Sequence, residues 1–156
     1  MTDIKHKLIK LLEEVADYLG IDLIPIEYEN LEIDDSRLIL KPIPKIVISI
    51  KYENHFTESA KCITHEMRHI FQIYYVNIMN DKLARIWREE LAQAKSSANI
   101  DVNSNEYNDY SLQAIELDAF AFSQFYLRRY NIYFKYEDKK FQRLVEEYIK
   151  KYLYEN

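Results

Sequence analysis

An α+β fold, mostly helical with a small sheet of about three strands, follows from three observations. Apolar residues recur at helical spacing from Asp3 to Leu19 and again over long stretches after Thr57. Between these stretches, from Ile21 to Lys51, the period shortens into brief runs rich in Ile, Leu and Val, separated by turn formers. The chain has 156 residues. That length fits one domain, residues 1–156, and can bury a core without disulfides or a structural metal.

The first helix carries Ile4, Leu8, Leu11, Leu12, Val15 and Leu19 on one face, and Gly20 follows where a left-handed C-cap would stop it. The runs Ile21-Asp22-Leu23-Ile24, Leu38-Ile39-Leu40 and Ile46-Val47-Ile48-Ser49-Ile50 are the expected strands, mostly in antiparallel hairpins. Thr57 is the expected N-cap of a helix running to about Asn80. On it, Cys62, Glu66, Ile73 and Val76 share the side of His65, and Ile63, Met67, Ile70, Phe71 and Tyr74 form a core stripe opposite. Asp81 caps a third helix through Leu83, Ile86, Trp87 and Leu91 to about Ala98. The polar stretch from Asn99 to Asp109 reads as a surface loop. A fourth helix spans about Ser111 to Tyr130, and a fifth, capped by Asp138, carries Phe141, Leu144, Val145, Tyr148 and Leu153.

Composition removes several function classes. A formal net charge of -5 argues against a strongly basic nucleic-acid-binding surface. The single Gly excludes a Gly-rich nucleotide loop, and the single Cys, Cys62, leaves no partner for an intrachain disulfide or a thiolate zinc site. No segment approaches the ~20 apolar residues needed to span a bilayer, and the N-terminal stretch has no apolar signal core. The expectation is a soluble, cytoplasmic protein with no membrane or nucleic-acid partner. The 14 tyrosines, in a chain also rich in Ile, Lys and Asn, read as a compositional bias.

The chemistry is concentrated in His65-Glu66-Met67-Arg68-His69. On a helix, positions i and i+4 lie about 40° apart, so both imidazoles can reach one ion while Glu66 sits beside its water. Two histidines kept for packing or solvent contact are the bland alternative. Two imidazoles hold zinc weakly, so a third protein ligand is required. His6 and His55 are the other histidines. Glu116 and Asp118 form an acidic pair in the otherwise apolar stretch Glu116 to Phe122, where a carboxylate needs a partner because burying an unpaired charge is very costly. Glu116 shares its face with Gln113, Ala119, Phe120, Ser123 and Leu127, and Asp118 lies about 200° around the helix. One regular helix cannot readily aim both carboxylates at one ion.

His65-Glu66-x-x-His69 followed by Glu116-x-x-Ala119, with Asp118 and Phe122 nearby, resembles the gluzincin metallopeptidases, most closely the small ImmA/IrrE-like group. The resemblance implies a minimal zincin-like fold: a helix, a short sheet, the HExxH helix, then a helix bearing the Glu ligand. It implies His65, His69 and Glu116 as ligands of Zn2+ and Glu66 as general base. The expected function is a zinc-dependent metallopeptidase hydrolysing peptide bonds in an intracellular protein, with Glu66 activating a zinc-bound water. Family members commonly place Gly before the second histidine, where this chain has Arg68. The connection from His69 to Glu116 is also longer here.

The remaining residues take bland readings beside the functional ones. Asp118 is expected to pair with an Arg or cap a neighbouring element rather than ligate. Cys62 is expected to be a small buried hydrophobe. Arg68, about 60° from His65, is expected to be solvated on a helix flank, with substrate binding as the alternative. Tyr110 and its neighbours are candidates for stabilising an oxyanion. If the Ile46 to Ile50 strand borders the cleft, an extended peptide or protein substrate can pair with its edge. Two rival functions remain, a non-catalytic binding or regulatory module with the same fold and a zinc hydrolase of a non-peptide bond.

Overall fold

A computed structural model describes residues 3–94 and 114–154. The expected loop from Asn99 to Asp109, together with Tyr110 and Gln113, lies outside the described residues. Helix α1 is Asp3–Leu19. Gly20 ends it with φ +69°, donating to the Asp17 carbonyl at 3.2 Å, while Ile21 donates to Ala16 at 3.0 Å. That pair of bonds is a Schellman motif, and a residue without Cβ adopts its left-handed turn at little steric penalty.

Three strands follow: β1 (Ile26–Glu29), β2 (Ser36–Ile39) and β3 (Lys45–Ser49). The sheet is mixed, in the order β1-β3-β2, with β3 parallel to β1 and antiparallel to β2. The β2–β3 pairing is antiparallel as expected, while the parallel β1–β3 pairing corrects the expectation of mostly antiparallel hairpins. Residues 46 to 49 of β3 are all buried, as suits a central strand covered on both faces and paired on both edges. The first strand also starts later than the Ile21 run suggested. Leu23 is exposed, and Pro25 has no N–H to give a ladder.

The edge of β2 is the one that borders the cleft. Ser49 donates its N–H to the Asp35 carbonyl at 2.8 Å, which marks Asp35 and Ser49 as a hydrogen-bonded pair. In an antiparallel ladder the pairing alternates, so the backbone N–H and C=O of Ser36 and Leu38 point away from β3.

Helix α2 is Phe56–Ile78, beginning just before the expected cap: His55 takes the cap position and makes no side-chain cap bond. Ile63, Met67 and Ile70 are buried as the stripe predicts, whereas Tyr74 is exposed and reaches Asp22. Val76 packs with Trp87 and Ile115. Helix α3 is Lys82–Ala94, capped by Asp81, whose Oδ1 accepts from the Ala84 N–H at 2.8 Å. Helix α4 is Ala114–Leu127 and α5 is Lys139–Tyr148, capped by Asp138 and continued by a π turn at Ile149–Leu153.

The main core gathers α1, the sheet, α2 and the later part of α4. The α2–α4 contact carries small hydroxyl-bearing residues: Thr64 Oγ1 lies 2.6 Å from Ser123 Oγ, and Ser123 Oγ stands 3.2 Å from the Lys61 carbonyl oxygen. Small side chains let the two helices approach closely, which is what carries Glu116 to the histidines.

Candidate metal centre

His65, Glu66 and His69 project from α2 into a cleft of about 790 Å³, and Glu116 enters it from the first described turn of α4. Glu90 on α3 fixes that turn, its two carboxylate oxygens accepting the Ala114 and Ile115 N–H groups at 2.8 and 3.0 Å. An acid at a helix N-terminus answers both unpaired N–H groups and the helix dipole.

The two Nε2 atoms of His65 and His69 stand 3.1 Å apart. Glu116 Oε2 lies 3.4 Å from His65 Nε2, and Oε1 lies 2.8 Å from His69 Nε2. Donors bound at about 2.0–2.1 Å around a tetrahedral ion are spaced by about 3.3 Å, and the three separations scatter around that spacing, so two imidazoles and one carboxylate here could hold a metal ion. The three groups are mutually within 4.8 Å, and they form the one such His/Cys/Asp/Glu group among the described residues. His6 and His55 are exposed elsewhere.

Charge coupling matches this geometry. Burial pushes the His69 pKa down, but the Glu116 carboxylate more than compensates, and the net shift is upward. Burial raises the Glu116 pKa while His69 and His65 pull it down more strongly, leaving the carboxyl well below the usual range. The coupling favours a proton on His69 when no cation is bound.

Glu66 is buried, and its Oε2 accepts the Ser36 hydroxyl at 2.7 Å. Ser36 is not singled out by the sequence, where it falls among the turn formers between the expected strands. Ser36 is instead the first residue of β2, and no local pattern links it to a helix residue 30 positions away.

Asp118 faces away from the cleft and is fully buried. Its Oδ2 accepts from Arg68 Nε at 2.6 Å and Gln72 Nε2 at 2.8 Å, and its Oδ1 accepts from an Arg68 terminal nitrogen at 3.0 Å and the Tyr148 hydroxyl at 2.6 Å. The expected pairing with an Arg is present. The expected solvation of Arg68 is corrected: its side chain is 12% exposed, and its guanidinium lies 4.4 Å from the Phe71 ring and 5.0 Å from Phe122. Packing of α4 over that flank of α2 seals it, which helical angle alone could not foretell.

Gln72 is the second residue missed. Its Oε1 stands 2.8 Å from His69 Nδ1 while its amide nitrogen reaches Asp118 and the Ile115 carbonyl. Three residues after His69, it occupies the position from which a helix side chain can reach that ring, a signal available in the sequence.

Cys62 lines the cleft but is buried, and burial pushes its thiol up to about 12, so it behaves as the small hydrophobe expected. Tyr136 also lines the cleft, yet its hydroxyl is committed to the Phe120 carbonyl at 2.7 Å, and Phe120 in turn packs 4.4 Å from the His65 ring. No helix among the described residues is long and apolar enough to cross a membrane. Compared with protein-family models, curated proteins and solved structures, the chain matches none of them.

Proposed function

We propose that this protein is a zinc-dependent metallopeptidase of the gluzincin type, similar to the ImmA/IrrE-like group, that hydrolyses peptide bonds in an intracellular protein. The observation that carries the reading is the convergence of His65, His69 and Glu116 donor atoms from two helices, within 4.8 Å of one another, beside a buried carboxylate. A zinc ion held there supplies Lewis acidity and lowers the pKa of water toward about 7.

The chain's own groups account for the rest. Ser36 engages Glu66 Oε2, which leaves Oε1 to take a proton from the attacking water and to return it to the leaving nitrogen as the C–N bond breaks. Substrate is expected to lie along β2. The β3 edge considered from sequence is occupied on both sides, whereas the backbone groups of Ser36 and Leu38 face outward at the cleft. An extended peptide pairing there would be held by main-chain bonds with modest dependence on its side chains.

The test is metal content of protein purified without added zinc, followed by cleavage of a denatured peptide pool by the wild type and by Glu66→Gln. The expected result is about one zinc per chain in both and a loss of about 10²- to 10⁴-fold in hydrolysis for the variant. Hydrolysis retained by Glu66→Gln overturns the assignment. Metal without cleavage in the wild type indicates the non-catalytic binding module instead.

A further inference from the structure

We propose that Gln72 is a positioning residue that dictates which ring nitrogen of His69 is presented to the metal site, and that Asp118, gripped by Arg68 and Tyr148, locks Gln72 in that role. The inference rests on the metal reading above and deepens it. Gln72 is fully buried, and its amide nitrogen stands 2.9 Å from the Ile115 carbonyl and 2.8 Å from Asp118 Oδ2. A carbonyl oxygen and a carboxylate only accept, so the NH₂ end of the amide must face them and the group cannot flip. Its oxygen is therefore left 2.8 Å from His69 Nδ1, and an oxygen in that place only accepts.

Nδ1 of His69 must then carry a hydrogen. In a neutral imidazole that leaves the lone pair on Nε2, the atom that stands against His65 Nε2 and Glu116 Oε1. A buried Arg–Asp pair thus sets a tautomer through a single amide, without touching the site. Asp118 is suited to this because its four accepted bonds, two from Arg68 and one each from Gln72 and Tyr148, hold it from several directions. His65 has no such device. Its Nδ1 is buried without a hydrogen-bond partner among the described residues, and its ring rests on Phe120. The two ligand histidines are held by different means, and only the His69 side is wired to Arg68, which stands where the resembling family commonly has glycine.

The experiment uses Zn2+ alone as the probe, with affinity read by competition against a chromogenic chelator. The variant is Gln72→Met, which keeps the side-chain length and removes the acceptor. Folded Gln72→Met is expected to bind zinc about 10- to 100-fold more weakly. Ring-nitrogen NMR of the zinc-loaded wild type is expected to show His69 metallated at Nε2 with a slowly exchanging Nδ1–H, and this proton should exchange rapidly in the variant. Affinity within about two-fold of wild type in a folded variant overturns the inference. If Gln72→Met does not fold, the wild-type NMR decides alone, since metal on Nδ1 overturns it equally. A wild type that takes up no zinc sinks the metal reading and this inference with it, whereas zinc binding indifferent to Gln72 sinks only the inference.

Discussion

Glu116 and Asp118 stand two residues apart on α4, both nearly sealed from water at 6% and 0% exposure, and yet their surroundings differ in kind. The oxygens of Asp118 receive an Arg fork, an amide and a phenol, groups that stay donors under ordinary conditions. The oxygens of Glu116 meet histidine Nε2 atoms, which can surrender a proton and turn lone pairs toward a cation. Buried charge on one side of the helix is closed into the architecture, and on the other it is held by exchangeable partners. What separates a structural carboxylate from a candidate ligand is therefore the chemistry of the groups around it, more than its burial.

The largest effect should come from breaking the closed side. Asp118→Ala leaves the Arg68 guanidinium buried without its counter-ion and should destabilise the protein by about 3–5 kcal/mol in urea unfolding. The same substitution at Glu116 should leave the metal-free fold far less affected, because His69, whose proton the Glu116 carboxylate favours, can become neutral. If Glu116→Ala proves as damaging to the metal-free protein as Asp118→Ala, the distinction between the two sides fails.

Metal affinity should reverse the ranking. Glu116→Ala removes the proposed third ligand and should weaken zinc binding by more than the roughly 100-fold upper range seen for outer-shell partners. Unchanged zinc content in that variant would place the third donor elsewhere. Arg68→Lys keeps the charge of the closed side but loses the fork, and a loss of about 1–2 kcal/mol in stability is expected, with little change in zinc content.

The exchangeable side also predicts a proton count. Because the Glu116 carboxylate holds the His69 pKa above its ordinary value, metal-free protein at pH 7 carries a proton on that ring, and zinc loading should release about one proton. Calorimetric titration in two buffers of different ionisation enthalpy measures it, and zero release contradicts the coupling.

The smallest effect is the pH dependence of stability without metal. A raised histidine pKa contributes stability that is complete below about 6.5 and fades as pH climbs through the folded value. The depressed pKa values of Glu116 and Asp118 act oppositely, contributing above their usual ranges near 4.5 and 3.8 and fading in acid. Alkaline pH should therefore lower the melting temperature of metal-free wild type by a few degrees and do so less in Glu116→Gln, while acid should weaken both.

Much of the helical framework could be read in advance because its signals are local. The α1 boundary at Leu19 and Gly20, the Asp81 cap of α3 and the Asp138 cap of α5 each depend on bonds spanning only a few residues. The sheet was less legible. The apolar run of β3 announces a strand but not whether its neighbours run parallel, so the mixed order and the exposed β2 edge had to come from packing. Arg68 was misread for a related reason: its helical angle is correct, but whether that flank meets water depends on where α4 lies.

Spacing alone set His65, Glu66 and His69 on neighbouring positions of one helix, since 3.6 residues per turn is a property of the backbone and needs no other part of the chain. Tertiary structure decided the rest of the centre: that Glu116 rather than Asp118 meets the imidazoles, that Ser36 holds Glu66, and that Arg68 and Asp118 close across a separation of 50 residues. Contacts at such distances along the chain arise from the packing of α4 and the sheet on α2, and no periodicity in the sequence extends that far.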